Sequence, residues 1–255
     1  MTAAATITLP GLRHVEHVMG MPIVVDVRDD DVDQATIDRV LDWFRWVDET
    51  FSTYAEDSQI NRIERGELQL ELAHPEVREV LSRCGELRLE TLGYFDVRAT
   101  GRLDPSGYVK GWSVDRAAEL LHDAGLRNFA VNAGGDMRLS GRAVPNDHWS
   151  VGIQHPRDRE HVAAVVRATD LAVATSGAYA RGDHVLNPYT RRPPRDILSV
   201  TVVGAELATA DAYATAAFAM GADAGPRWTA RLRGYAAMTI LADDTVLSTG
   251  PFPHE

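Results

Sequence analysis

The chain has 255 residues, 45% hydrophobic and 25% charged, a composition that fits a folded globular protein and argues against disorder. Its formal net charge of −11 works against nonspecific adhesion to nucleic acid or to an acidic membrane surface. A single cysteine, Cys84, excludes an intrachain disulfide framework and a thiolate zinc cluster.

The opening stretch, MTAAATITLPGLRHVEHVMG, has no basic start, is interrupted by Pro10 and Gly11, and runs into charge, unlike a secretory signal. No apolar run approaches the roughly 20 residues that span a bilayer. A soluble, cytoplasmic protein without a membrane anchor is therefore expected. HVMGMPIVVDVRDD reads as a β-strand broken by a Gly-Met-Pro irregularity. Val32, Val40, Phe44, Val47 and Phe51 then recur near helical spacing, which predicts an amphipathic helix over 31–51. A polar loop and a short helix capped by Ser58 follow, and a further helix fits 75–91, with Pro75 in its first turn. The next helix ends at Gly125. Strand-like stretches come at 128–132, 136–141, 149–154, 162–168, 171–175 and 197–203. An alanine-rich helix, 208–221, a last helix and two short strands complete the chain. The central run of strands departs from βαβ alternation. The expectation is an α+β fold: a single large domain over 1–255, of two interleaved lobes with a mixed or antiparallel sheet and flanking helices.

Within the alanine-rich helix, ATADAYATAAFAMG, Asp211 and Thr215 stand four positions apart and so share a face. Two readings are open. Thr209 or Asp211 caps the helix while Thr215 bonds back to a carbonyl, or carboxylate and hydroxyl together hold a hard cation. Four other segments are polar and marked by glycine: FSTYAEDSQINRI, LDPSGYVKGWSVD, NAGGD and ATSGAYARGDHVLNPYTRRP. Each taken alone reads equally as a loop, and NAGGD as a tight turn. Lys110 and Asp115 are, on the same terms, ordinary surface residues.

In order and in combination these segments resemble the FAD:protein FMN transferase family, often called the ApbE family. The resemblance rests on Met19-Gly20, Phe51 to Asn61, Gly93 to Asp96, Lys110 to Asp115, Asn132 to Asp136, Thr175 to Tyr179, His184 to Pro188 and Ala210 to Thr215, and covers about 15–221. It implies transfer of FMN from FAD to a threonine or serine hydroxyl of a target protein, with Mg²⁺ required and AMP released. It makes Asp211 and Thr215 magnesium ligands, completed by the backbone carbonyl of Gly107. It places Met19, Tyr54, Tyr94, Phe95, Asp96, Asp104, Lys110 and Leu186 at FAD.

His184, alone among nine histidines, falls within a matched motif. An imidazole titrating near neutrality suits a base that takes the acceptor hydroxyl's proton, whereas the plainer reading is a histidine that bonds a loop backbone. Tyr54 offers an aromatic face with a hydroxyl at its edge, and Lys110 an ammonium for a phosphate or carboxylate. Phe95 reads equally as core.

The chain also departs from the family pattern. Only VRATGRL separates Asp96 from Asp104, where the family often carries a long insertion. Ala214 stands where many members have an acid, Asn187 replaces an acid, and Arg191 a glycine. Without a leader or lipid-attachment cysteine, the chain resembles a compact cytoplasmic branch whose acceptors would be cytoplasmic flavoproteins. Three functions follow as expectations: flavin transfer to a protein, FAD pyrophosphatase with water as nucleophile, and FAD binding or storage without turnover.

Overall fold

In the computed structural model, which describes residues 10–144, 147–178, 182 and 185–253, the first apolar run is a hairpin and not one strand. β1 (Leu12–Val18) turns at Met19 and Gly20 into β2 (Met21–Val27), with Val18 opposite Met21. Both turn residues are left-handed, at φ 57° and 70°. That is the backbone a two-residue hairpin needs to match strand twist. The turn pair is Met-Gly, not the Asn-Gly or Asp-Gly that marks a hairpin in sequence, so the segment reads as a single interrupted strand.

The helices start where their caps are. α1 (Gln34–Phe51) follows Asp33, whose Oδ1 accepts from the Thr36 N–H at 2.7 Å, so the helix opens three residues later than the apolar spacing predicts. α2 (Gln59–Glu64) is capped by Ser58, which accepts from the Asn61 N–H at 3.1 Å. α3 (Pro75–Glu90) carries its proline in the first turn, and α4 (Ser106–Asp123) stops just before Gly125. α5 (Leu207–Thr229) is kinked at Gly221 and absorbs both helices expected near the C-terminus.

The remaining strands are β3 (Phe129–Ala133), β4 (Asp136–Ser140), β5 (Trp149–His155), β6 (Asp158–Ala168), β7 (Leu171–Gly177), β8 (Ile197–Gly204), β9 (Tyr235–Leu241) and β10 (Val246–Thr249). Eight of the ten form one sheet in the order β1-β2-β3-β4-β7-β8-β9-β10, while β5 and β6 pair only with each other. Every pairing between these strands is antiparallel, which settles the mixed-or-antiparallel alternative within an α+β fold.

The sheet is buried on both faces. On one side, Val25, Val131, Ala174 and Val202 pack against Ile37 and Phe44 of α1, Val114 and Leu121 of α4, and Ala210, Ala214 and Phe218 of α5. The alanines of α5 let its backbone lie close to the strands. On the other side, Leu139, Val173, Val203 and Ile240 meet Trp149, Val151 and Val166 of the β5–β6 hairpin. A third cluster, including Phe51, Val80, Leu87, Trp112 and Ala212, joins α1, α3, α4 and α5 on the outside. Among the described residues, no helix is long and apolar enough to cross a membrane.

Candidate active site

A cleft of about 470 Å³ opens between the start of α4, the first half of α5, the β3–β4 turn, β7 and the edge of β5. Its floor is set by two antiparallel helices in close approach. On α4, Gly107, Gly111 and Asp115 repeat at i, i+4, i+8, and on α5 so do Leu207, Asp211 and Thr215. The two rows face each other in reverse order. A Cβ at Gly107 would stand 3.4 Å from Thr215 Oγ1, the Gly111 N–H donates to Asp211 Oδ2 at 3.3 Å, and Asp115 reaches the start of α5.

Charge is concentrated on this floor. Lys110 Nζ pairs with Asp136 at the start of β4 and lies 3.3 Å from Asp211 Oδ1. Asp136 Oδ1 also accepts from the Thr175 N–H of β7 at 2.9 Å, and Ser176 Oγ lies 3.2 Å from Thr215 Oγ1. Burial pushes the Asp211 carboxyl up, to about 7, against the lowering pull of Lys110; nearby Asp136 adds to the rise. A backbone carbonyl has two lone pairs, so the Gly107 carbonyl in the first turn of α4 can accept a second bond beside its helical one. Asp211, Thr215 and the Gly107 backbone therefore form a corner of oxygen donors, the chemistry a hard cation takes. No group of three or more His, Cys, Asp or Glu poised for a metal occurs among the described residues. Any ion here would draw on one carboxylate, neutral oxygens and a ligand's own oxygens.

Tyr94, Phe95, Asp96, Asp104, Gly107, Lys110, Leu186, Asp211 and Thr215 all line this one cleft. Tyr94 meets Tyr189 edge-on with centroids 5.1 Å apart, and Phe95 is buried beneath Gly107. Asp96 is held by Arg88 at 3.1 Å and by the Arg98 N–H at 2.8 Å. Asp104 accepts from the Ser106 N–H at 3.0 Å, which steadies the entry to α4. Two residues stand apart. Met19 is half-buried at its hairpin turn, its sulfur 3.9 Å from Ser113 Oγ, and Tyr54 is 98% exposed; neither lines the cleft. His184 lies outside the described residues.

Asp115, on the same face of α4 as Gly107 and Gly111, sits outside the cleft. Burial pushes its carboxyl up to about 6, against the lowering effect of the two amides it accepts from. The folded chain therefore holds a proton between pH 4 and 6 that the unfolded chain, with an ordinary aspartate, does not. Stability contributed in this way is present at low pH and lost as pH rises through 6. Between pH 4.5 and 6.5 the wild type should lose about 2 kcal/mol relative to Asp115→Asn, measured by urea unfolding at both pH values. A gap that stays constant with pH would contradict the shift.

The ApbE family model matches residues 19–101 and 98–239, most of the chain. The chain belongs to the ApbE family. Relatives of this ApbE chain include a FAD:protein FMN transferase of Vibrio cholerae, 35% identical over 133 residues, covering 48% of this chain and 40% of the relative. Another, from Rhodobacter capsulatus, is 34% identical over 160 residues, covering 58% of this chain and 30% of the relative. The matches thus span less than half the length of these two relatives. The solved structure titled flavin transferase ApbE from Vibrio cholerae superposes with a TM-score of 0.84 at 22% identity, over 94% of this chain and 97% of that one. It establishes the ApbE fold.

Two residues on the cleft floor of this ApbE-family chain were not singled out from sequence: Asp136 and Ser176. Both lie in the glycine-marked segments NAGGD and TSGAY, where the glycines draw attention to the turn. The signal that could have found them is position. Asp136 opens β4 directly after a Gly-Gly turn, and Ser176 is the last residue but one of β7, so both stand where the sheet meets the helix pair.

Proposed function

We propose that this chain transfers FMN from FAD to a threonine or serine hydroxyl of an acceptor flavoprotein, with Mg²⁺ and release of AMP. The observation that carries the reading is the corner formed by Asp211, Thr215 and Gly107, with Lys110 beside it, at the floor of a cleft of about 470 Å³. A polyanionic dinucleotide needs positive charge at its phosphates, and an in-line displacement at phosphorus needs the attacking and leaving oxygens held in place.

Asp211, Thr215 and the Gly107 carbonyl would hold Mg²⁺, which when bound offsets the negative charge of a pyrophosphate and of the departing phosphate. The chain's other residues divide the remaining work. Lys110 contributes a fixed ammonium next to the phosphates, kept in place by Asp136. Tyr94, Phe95, Asp96, Asp104 and Leu186 shape the cleft around FAD, with Asp96 oriented by Arg88. His184 directly precedes Val185 and Leu186, both cleft residues, and is assigned as the base for the acceptor hydroxyl. As the hydroxyl oxygen bonds to the FMN phosphorus, its proton passes to His184. The bond to the bridging oxygen breaks, and the electron pair leaves with AMP.

The test is incubation with FAD and Mg²⁺, with and without a carrier protein bearing an Asp-containing segment that ends in Ala-Thr, reading AMP and carrier mass. A carrier heavier by one FMN supports transfer. AMP without that gain makes the chain a FAD pyrophosphatase, and bound FAD without AMP a storage protein. His184→Ala is expected to slow transfer roughly a hundredfold while leaving FAD affinity within about twofold, since a base acts on the proton in flight. Fluorescence titration of FAD alongside the rate assay checks both, and lost FAD binding would make His184 a ligand contact instead.

A further inference from the structure

The helix that carries Asp211 and Thr215 is not capped by its own sequence. Glu206, at the N-cap of α5, makes no side-chain bond to the first-turn amides, and its Oε2 instead accepts from Thr209 Oγ1 at 3.1 Å. The cap comes from another helix, about ninety residues earlier in the chain. Asp115 of α4 accepts from the Leu207 N–H at 3.1 Å and from the Ala208 N–H at 2.8 Å. Arg138 of β4 lies behind it, with Nε 3.9 Å from Asp115 Oδ1, and also donates to the Ala205 carbonyl just ahead of α5.

The placement matters because α4 also carries the other half of the site. From Asp115 back along one face of α4 come Gly111, against Asp211, and Gly107, against Thr215. From Leu207 forward along α5 come the same two partners in the opposite sense. The three contacts form a ladder with rungs about 6 Å apart, four residues of helix rise each. Two rungs involve glycine, which has no side chain to resist sliding or rotation. The Gly111 rung has a single long bond of 3.3 Å, whereas the Asp115 rung has two shorter ones, its two oxygens on two successive amides at a helix N-terminus.

We propose that Asp115 is a positioning residue of the transferase site. By capping α5 from α4 it fixes the register of the helix pair, and thereby the separation of Asp211 and Thr215 from Gly107 and Lys110. Asp115 does not line the cleft. The inference rests on the metal reading of the Asp211 corner.

The test measures Mn²⁺ binding by electron paramagnetic resonance on FAD-loaded protein, in wild type, Asp115→Asn and Asp115→Ala. It is run at a temperature where circular dichroism shows each variant folded. Val27→Ala, a buried change where the end of β2 meets the start of β3, at the end of that ladder away from the cleft, serves as a control that lowers stability. Mn²⁺ affinity should fall about tenfold or more in Asp115→Ala. It should fall by an intermediate factor in Asp115→Asn, which keeps one accepting oxygen, and stay unchanged in Val27→Ala. Hydrogen exchange should show the Leu207 and Ala208 amides losing protection in the same order. If Asp115→Ala does not fold, the Asn variant decides alone. Wild-type Mn²⁺ affinity in Asp115→Asn and Asp115→Ala, or an equal loss in Val27→Ala, overturns the positioning role and leaves the metal reading standing. Wild-type protein that binds no Mn²⁺ with FAD present overturns both.

Discussion

Asp211→Asn is expected to cut Mg²⁺-dependent AMP release from FAD by roughly a thousandfold, about 4 kcal/mol of transition-state stabilisation, while the protein stays folded. The argument has two parts. The asparagine keeps the shape of the side chain and an oxygen for the Gly111 N–H, but removes the one carboxylate of the oxygen corner, leaving neutral donors that hold a divalent ion weakly. The fold, by contrast, is not indebted to that charge. Burial pushes the Asp211 carboxyl toward its neutral form, and Lys110 retains Asp136 as a partner when Asp211 is neutralised. Melting temperature should therefore move by no more than about 3 °C, as for the loss of one marginal interaction in a domain of this size. Full turnover in the variant would refute the metal assignment. A collapse in stability alongside the lost turnover would mean that Asp211 serves the fold.

Gly111→Ala should do the reverse and damage the frame first. A Cβ on Gly111 would stand 2.5 Å from the Leu207 carbonyl oxygen and 2.8 Å from Ala208 Cα, all backbone atoms with no rotamer to yield. The helices must separate or slide, at a cost of about 3 kcal/mol, which lowers the melting temperature by about 6–12 °C. Because Asp211 and Thr215 sit on the displaced helix, divalent affinity should fall with it, even well below the melting temperature. Calorimetry and a metal titration on the same sample check the pair of effects. An alanine variant with wild-type melting and wild-type affinity would show that the two helices have slack at this point.

How far the sequence reaches can be read from particular residues. α2 was legible because Ser58 announces its start, and α3 because Pro75 does. The face shared by Asp211 and Thr215 follows from helical period alone and is present. What was not legible depends on contacts between distant segments. The turn of HVMGMPIVVDV is Met-Gly, without the Asn-Gly or Asp-Gly signature of a two-residue hairpin, so the β1–β2 hairpin reads as one strand. The kink at Gly221 joins two helices that look separate in sequence. Asp115 reads as a solvated helix residue until α5 is seen to start against it, and Asp136 as a turn residue until Lys110 is seen to reach it. Nothing local to Tyr54 distinguishes an aromatic platform from the exposed side chain that the fold presents.

The β5–β6 ribbon forms part of the cleft, through Val151, Gly152, Ile153 and Gln154, yet shares no ladder with the eight-stranded sheet. Its attachment is a face of side chains around Trp149 and Val166, not a run of backbone bonds. One side of the cleft is thus built as a detachable panel. A change in the length or surface of that panel would therefore reshape one wall of the cleft while leaving intact the opposite side, where Lys110, Asp136 and Asp211 are anchored.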